Sequence, residues 1–446
     1  MKPLLSAFLI AIMVGGFALA GTLQLGVVKA DTNVTGIIDS DTTWTKSNSP
    51  YNLTGNVLVD SGVTLTVEAD TTLNFNDHYI RVNGSLTIQP GVTVNFGSTG
   101  GAIQVNGVMT ARGTSTNPIH INGGSRSWSM WIAAYSTITF SESSAGWNEQ
   151  TGSGCIIENA IISSTTIETS GSMKFSSNIM EGSEILIKDG SPEISNNFLT
   201  SSIQIEGGSP TVSDNEITGG SISLFHGNSV TITGNIIAQS TGGDSAGIRI
   251  ESVDMMSVLI ERNLIAYCFQ GINMFYFGVA GSLTSLTIQD NTIINNQNGI
   301  TITNRYVPTI SNNNIFNNNV NVELSNKASN DINATYNWWG TTDTSTIDSL
   351  IYDFNDDFNL GKVNYTPFLT ALNPSAPDPN TPIATPMPVS TPSPSPTATS
   401  SPPQTSTPTP SQEPQQTELT TIIGAAIAVA VLGAGLGLLI YLIKRK

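Results

Sequence analysis

Ile194-Ser195-Asn196-Asn197-Phe198-Leu199 and Val212-Ser213-Asp214-Asn215-Glu216-Ile217 are two copies of one phrase: an apolar residue, two mostly polar ones, an asparagine, any residue, an apolar residue. Upstream it reads Ile156-Ile157-Glu158-Asn159-Ala160-Ile161 and Phe175-Ser176-Ser177-Asn178-Ile179-Met180. Downstream it returns around Asn235, Asn263, Asn291 and Asn313, with a degraded last copy at Asn337. The asparagines recur every ~18–28 residues, a solenoid period. Units this short cannot bury a core alone, so each must stack on its neighbours. Within a unit the apolar period is two, the period of a strand. The asparagines Asn159, Asn178, Asn197, Asn215, Asn235, Asn263, Asn291, Asn313 and Asn337 are therefore expected at a corner between two short strands. Stacked about 4.8 Å apart, each amide can donate to one neighbour and accept from the other, a buried ladder that satisfies itself.

From Asn33 to Gly123 the same alternation continues without the phrase, as in Val63-Thr64-Leu65-Thr66-Val67 and Ser85-Leu86-Thr87-Ile88. These stretches read as earlier rungs of one solenoid. The expected class is all-β: a right-handed parallel β-helix solenoid with an asparagine ladder. The arrangement resembles the right-handed parallel β-helix of the pectin-lyase-like superfamily, and more narrowly the cell-surface β-helix repeat proteins of archaea and some bacteria. Asn337-Trp338-Trp339-Gly340 resembles the Asn-aromatic-Trp-Gly signature that closes such repeats in the NosD-like branch. The segments Ile351-Tyr352-Asp353 and Tyr365-Thr366-Pro367-Phe368-Leu369 resemble the tail that follows it. The resemblance implies the fold; activity does not follow, because folds of this kind host enzymes and non-enzymes alike.

The ends differ in composition. Residues 1–30 read as a signal peptide, with Lys2 before an apolar run and Val28-Lys29-Ala30 suited to cleavage. Residues 31–130 are amino-terminal rungs, 131–340 the asparagine-ladder repeats and 341–373 a carboxy-terminal cap. Residues 374–418 are rich in Pro, Thr and Ser, as in Thr391-Pro392-Ser393-Pro394, and read as a disordered stalk. Residues 419–443 read as one transmembrane helix, since Ile422 to Ile443 is continuously apolar or small. Residues 444–446, Lys444-Arg445-Lys446, form a basic cytoplasmic tail. This places the chain at a cell membrane as a single-pass protein with an extracellular ectodomain. Five glycosylation sequons begin at Asn33, Asn52, Asn83, Asn333 and Asn364.

The formal net charge is −17. None of the 33 acidic residues and five of the 16 basic ones lie in the two apolar ends, so the segment between carries 22 excess negative charges. That argues against nucleic acid as a partner. Cys155 and Cys268 are the only cysteines. They stand about five rungs, roughly 24 Å, apart. A disulfide needs Cα atoms within about 7 Å, so both read as small buried residues of the stack.

No phosphate-binding loop, metal-spaced Cys/His cluster or nucleophile elbow is present. Chemistry would lie on an exposed sheet face. After each corner a second strand places one outward column at Leu186, Gln204, Ser223, Arg249, Asn273 and Thr301. Its neighbour holds Lys188, Glu206, Phe225, Glu251, Phe275 and Thr303. Glu206 and Glu251 would lie roughly 9.5 Å apart, near the upper limit for an inverting glycosidase pair. Arg249 could hold an acidic sugar, Phe225 and Phe275 could stack on sugar rings, and Asn273 is a further candidate contact. Asp353, Asp356 and Asp357 form the densest acidic group and a candidate calcium site, although their spacing is not that of an EF-hand; no other cofactor is expected. The leading expectation is a structural or adhesive surface protein binding an extracellular glycan or a surface-layer polymer. The alternatives are a polysaccharide hydrolase or lyase on the Glu206–Glu251 face, and a periplasmic accessory protein of the NosD-like kind.

Overall fold

The computed structural model describes residues 31–97, 100–124, 136–241, 245–251, 257–275, 285–303, 306–325 and 328–383. The signal segment 1–30, the stalk beyond residue 383, the span 419–443 and the tail 444–446 lie outside them. No helix among the described residues is long and apolar enough to cross a membrane.

Between named strands, every pairing is parallel and joins one rung to the next, forming three faces. Face I runs from Thr42–Trp44 through Glu193–Ser195, Ser229–Thr233 and Ser285–Gln289 to Val363–Asn364, fourteen strands among the described residues. Face II includes Ile179–Glu181, Ile236–Ala238 and Asn314–Phe316; face III includes Ile185–Ile187, Ala246–Glu251 and Val320–Ser325. Faces II and III form one 25-stranded sheet, because Tyr51–Val59 runs through both. Inside, like sits on like: Ile194, Val212, Ile232, Ile260, Ile288 and Ile310 stack in register on face I, all fully buried. Each such side chain contributes about 1.5–3 kcal/mol by leaving water.

The corner between faces I and II carries the ladder. From Asn178 to Asn313 each Nδ2 donates to Oδ1 of the next rung's asparagine at 2.9–3.1 Å. The same Oδ1 accepts the previous asparagine's backbone N–H at 2.8–3.1 Å. The second Nδ2 hydrogen goes back to a backbone carbonyl, as from Asn235 to Val212 and from Asn263 to Ile232, both 2.9 Å. Two donors and two lone pairs are thus all used, which a buried amide requires.

Asn159 is not a rung of this ladder. Ile157 pairs with Phe175, so Ala160 stands level with Asn178 and gives its backbone N–H to Asn178 Oδ1 at 2.9 Å. Asn159 falls one residue earlier, half-buried, at φ +52°. That is the left-handed position of the turn, held in later rungs by Ser177, Asn196, Asp214, Gly234, Arg262, Asp290, Asn312 and Tyr336. The strained backbone therefore belongs to the residue before the ladder asparagine.

Two further columns were not apparent from the repeated phrase. The corner between faces II and III stacks Ser240, Cys268, Asn296 and Asn318, all buried. Asn296 donates to Asn318 Oδ1 at 3.0 Å, and Cys268 gives its N–H to Asn296 Oδ1 at 2.9 Å. On the outer side of face II, in the amino-terminal rungs, Asn122 donates to Asn95 (2.9 Å), Asn95 to Asn74 (3.0 Å) and Asn74 to Asn52 (2.7 Å). Strand Ser136–Phe140 pairs with Ala102–Val105 and Thr165–Thr169, joining the amino-terminal rungs to the ladder repeats.

Asn337 ends the ladder, and Trp339 closes the core, 1% exposed and edge-on to Tyr365 at 6.2 Å. Gly340 adopts φ +84°, where a Cβ would meet the Phe316 side chain at 2.7 Å. Helix Thr344–Ser349, capped by Asp343, covers the end. The chain then turns back. Asn373 bonds to Asn314 Oδ1 (2.8 Å) and Asp290 Oδ1 (2.8 Å), Thr292 Oγ1 donates to Pro377 O (2.6 Å), and Ile383 packs on Leu264, Ala266 and Ile294. Residues 374–383, proline-rich in sequence, thus form a strap on face II and extend the packed chain past the compositional boundary at Pro374.

Asn235→Leu leaves the Asn215 N–H and Nδ2 donors without their acceptor and takes one donor from Asn263 Oδ1, each unpaired group costing about 1–3 kcal/mol. Asn159→Ala removes no ladder bond. Chemical denaturation should show a loss of several kcal/mol in the first variant and about 1 kcal/mol or less in the second. Equal losses would contradict the register described.

Candidate functional site

The outward columns of face III have the register read from the sequence. Leu186 pairs with Gln204, Gln204 with Ser223, Ser223 with Arg249, Arg249 with Asn273 and Asn273 with Thr301. Glu251 pairs with Phe275. Alternation puts these side chains outside the core.

Their surroundings differ from an open catalytic groove. Glu206 lies 3.6 Å from Lys188 Nζ, both about two-fifths exposed. Such a surface pair is worth about 0–1 kcal/mol. Glu251 is ion-paired with Arg249 on its own strand, and the Arg249 guanidinium lies over the Phe275 ring at 5.8 Å. Phe225, on the rung between the two glutamates, is half-buried. Asn273, Thr301 and Thr303 are 7%, 4% and 2% exposed, so this end of the face is covered. Asn273 Nδ2 is bonded to Gln270, and Thr303 Oγ1 donates to Met274 O at 2.7 Å. The alternation gave the side of the sheet correctly but not what lies over it. Glu206 faces Lys188 and Glu251 faces Arg249, so each carboxylate has a cation beside it.

The acidic group of the cap serves the backbone. Asp353, 3% exposed, accepts N–H groups of Asn355 (2.8 Å) and Val363 (2.9 Å). Asp356 accepts from Asp353 N (3.1 Å), and Asp357 accepts from Asn359 N (3.0 Å) and Nδ2 (2.7 Å). No group of three or more His, Cys, Asp and Glu side chains that could hold a metal occurs among the described residues. Asp353, Asp356 and Asp357 thus hold a turn by carboxylate–backbone bonds.

One exposed surface escaped the sequence reading. At the corner between faces II and III, Tyr267 and Phe269 flank buried Cys268 and are 51% and 40% exposed. Beside Tyr267, between the corner and the strap, lies a cleft of about 380 Å³. Gln239 and Tyr267 form its corner side, Leu264, Ala266 and Ile294 its floor, and residues 379–383 its far wall. The signal was present as Tyr267-Cys268-Phe269, two rings at positions where the two following rungs carry Asn or Gln.

Residues 183–337 match the family model described as the right handed beta helix region. The match ends on the last ladder asparagine and covers the rungs whose pairing is described above. With the stacked parallel strands, it bears out the resemblance to right-handed parallel β-helix repeat proteins. No curated protein and no solved structure matches the chain.

Both cysteines are free and buried. Burial pushes the Cys155 thiol up and raises Cys268 from 9.0 to about 11. A thiol raised on folding stabilises the fold below its unfolded pKa; that contribution is lost as pH rises towards the folded value. At pH 8 native protein should resist iodoacetamide at both positions and react fully once unfolded. Native labelling at the rate of a free thiol would contradict the burial of that side chain.

Proposed function

We propose that this chain is a membrane-anchored cell-surface β-helix protein, structural or adhesive, that binds glycans or a surface-layer polymer without cutting them. The observation that carries this reading is the pairing of both candidate carboxylates: Glu206 with Lys188 and Glu251 with Arg249. A glycosidase needs one carboxyl to protonate the leaving oxygen and another to activate water across the bond. Here each is turned to a cation beside it. The solenoid supports the binding role, since stacked rungs make a long regular surface suited to an extended polymer. The apolar run of residues 419–443, the basic residues 444–446 and the Pro/Thr/Ser segment support a tethered position outside the cell.

The full chain, incubated with neutral and acidic polysaccharides, should retain polymer and release no reducing ends or unsaturated sugars. Glu206→Gln and Glu251→Gln should leave retention unchanged. Release of new ends by the wild type, lost in either glutamine variant, would replace this reading with the hydrolase or lyase.

A further inference from the structure

The corner between faces II and III presents two outward columns that the ladder does not use. Register places Tyr267, Asn295 and Asn317 in one and Phe269, Gln297 and Asn319 in the other. Each column is an aromatic ring followed, rung by rung, by two amides. None of the six side chains is charged, in a chain of net charge −17. Asn319 donates to Gln297 Oε1 at 2.7 Å, which fixes one amide pair towards solvent. The exposed Gln239 lies one rung before Tyr267, beside the cleft.

The Tyr267 ring stands where the backbone does not favour it. Tyr267 has φ +57° and Gln239 φ +61°, whereas Gly219, Asn295 and Asn317 take the same conformation at the equivalent turns. Gly and Asn visit this region at little cost; a bulky side chain does not. The exposed Phe354 and Phe358 of the cap meet edge-to-face at 5.4 Å.

We infer that this corner binds a neutral glycan chain laid along the solenoid axis. Tyr267 and Phe269 offer faces on which the apolar sides of pyranose rings stack, a contact that excludes water from ring and sugar together. Asn295, Gln297, Asn317 and Asn319 offer both donors and acceptors to hydroxyl groups on the following rungs. The cleft beside Tyr267 takes the edge of a sugar unit, and Gln239 extends the amide row in the other direction. Rungs about 4.8 Å apart repeat this pattern at even steps, as a polymer of identical units does. The uncharged surface selects against acidic polysaccharides by giving them no compensating cation. This inference rests on the glycan-binding reading and locates it away from face III.

The test measures binding of chitohexaose, cellohexaose and mannohexaose to the full chain, with an oligogalacturonate as the acidic comparison. Tyr267→Asn and Phe269→Gln extend the amide columns by one rung, and asparagine suits the turn, so the fold is kept. Each should weaken binding of a neutral hexasaccharide about tenfold, the worth of one stacked ring. Tyr267→Phe should stay within about twofold, and binding should not change between low and high salt, because no charge takes part. Full affinity in the Tyr267→Asn/Phe269→Gln double variant, with loss in Arg249→Ala/Phe275→Ala, would move the site to face III and leave glycan binding standing. Binding of the oligogalacturonate alone would overturn the neutral class. Failure of the wild type to bind any of the four would overturn this site and the glycan reading together.

Discussion

A buried asparagine amide has two donors and two lone pairs, and at the corner between faces I and II every one is used. The next rung's Oδ1 receives one hydrogen and a carbonyl of the rung before receives the other. An unpaired amide in that position would cost about 1–3 kcal/mol, so each asparagine is stable only because its neighbours are also asparagines. Ala160 marks where the column begins: its backbone N–H still bonds to Asn178, but it has no side chain to pass the pattern on. At the other end Asn337 turns its amide onto Ile310 O (2.8 Å) and Ala334 O (2.7 Å), and the cap takes over. Register follows from this column, because a slip of one residue would put an amide in the core and an isoleucine at the turn.

The fold was largely legible in the sequence, because apolar alternation and the asparagine phrase report the same rung twice. Where only one of them spoke, the reading drifted. Asn159 fits the phrase if counted from Ile156, but the strand pairs through Ile157, and one residue decides between ladder and turn. The Asn52–Asn122 row was hidden because its asparagines face out of the sheet, following an apolar residue, as in Leu73-Asn74 and Val94-Asn95. Residues 374–383 look like the start of a stalk by composition. Their attachment depends on Asn373, Pro377 and Ile383 meeting partners as distant in sequence as Leu264, which no local pattern encodes.

The candidate site was legible in part. Period two located Arg249, Glu251 and Phe275 on one outer surface, and the strand pairs agree. It could not show that Arg249 would turn to Glu251 and Phe275, nor that Thr301 and Thr303 would be covered. Side-chain partners on one face are chosen by rotamer and by what crosses the sheet, both invisible to a binary pattern. A binary pattern is equally blind to the corner rings, since Tyr267 and Phe269 count as apolar residues although both are exposed. Their exposure follows from the turn: Cys268 takes the inward position, and both neighbours must point away.

Residue-resolved hydrogen exchange on the native full chain tests the ladder most directly. Each backbone N–H from Asn178 to Asn313 bonds to the side chain of the following rung, not to a strand. If the ladder is intact, these amides and that of Ala160 exchange only with unfolding of the surrounding rungs, as slowly as the face I strand amides. Fast exchange at the ladder positions, with the adjoining strands still protected, would show that the asparagines are not bonded as described and that side-chain packing alone holds the register.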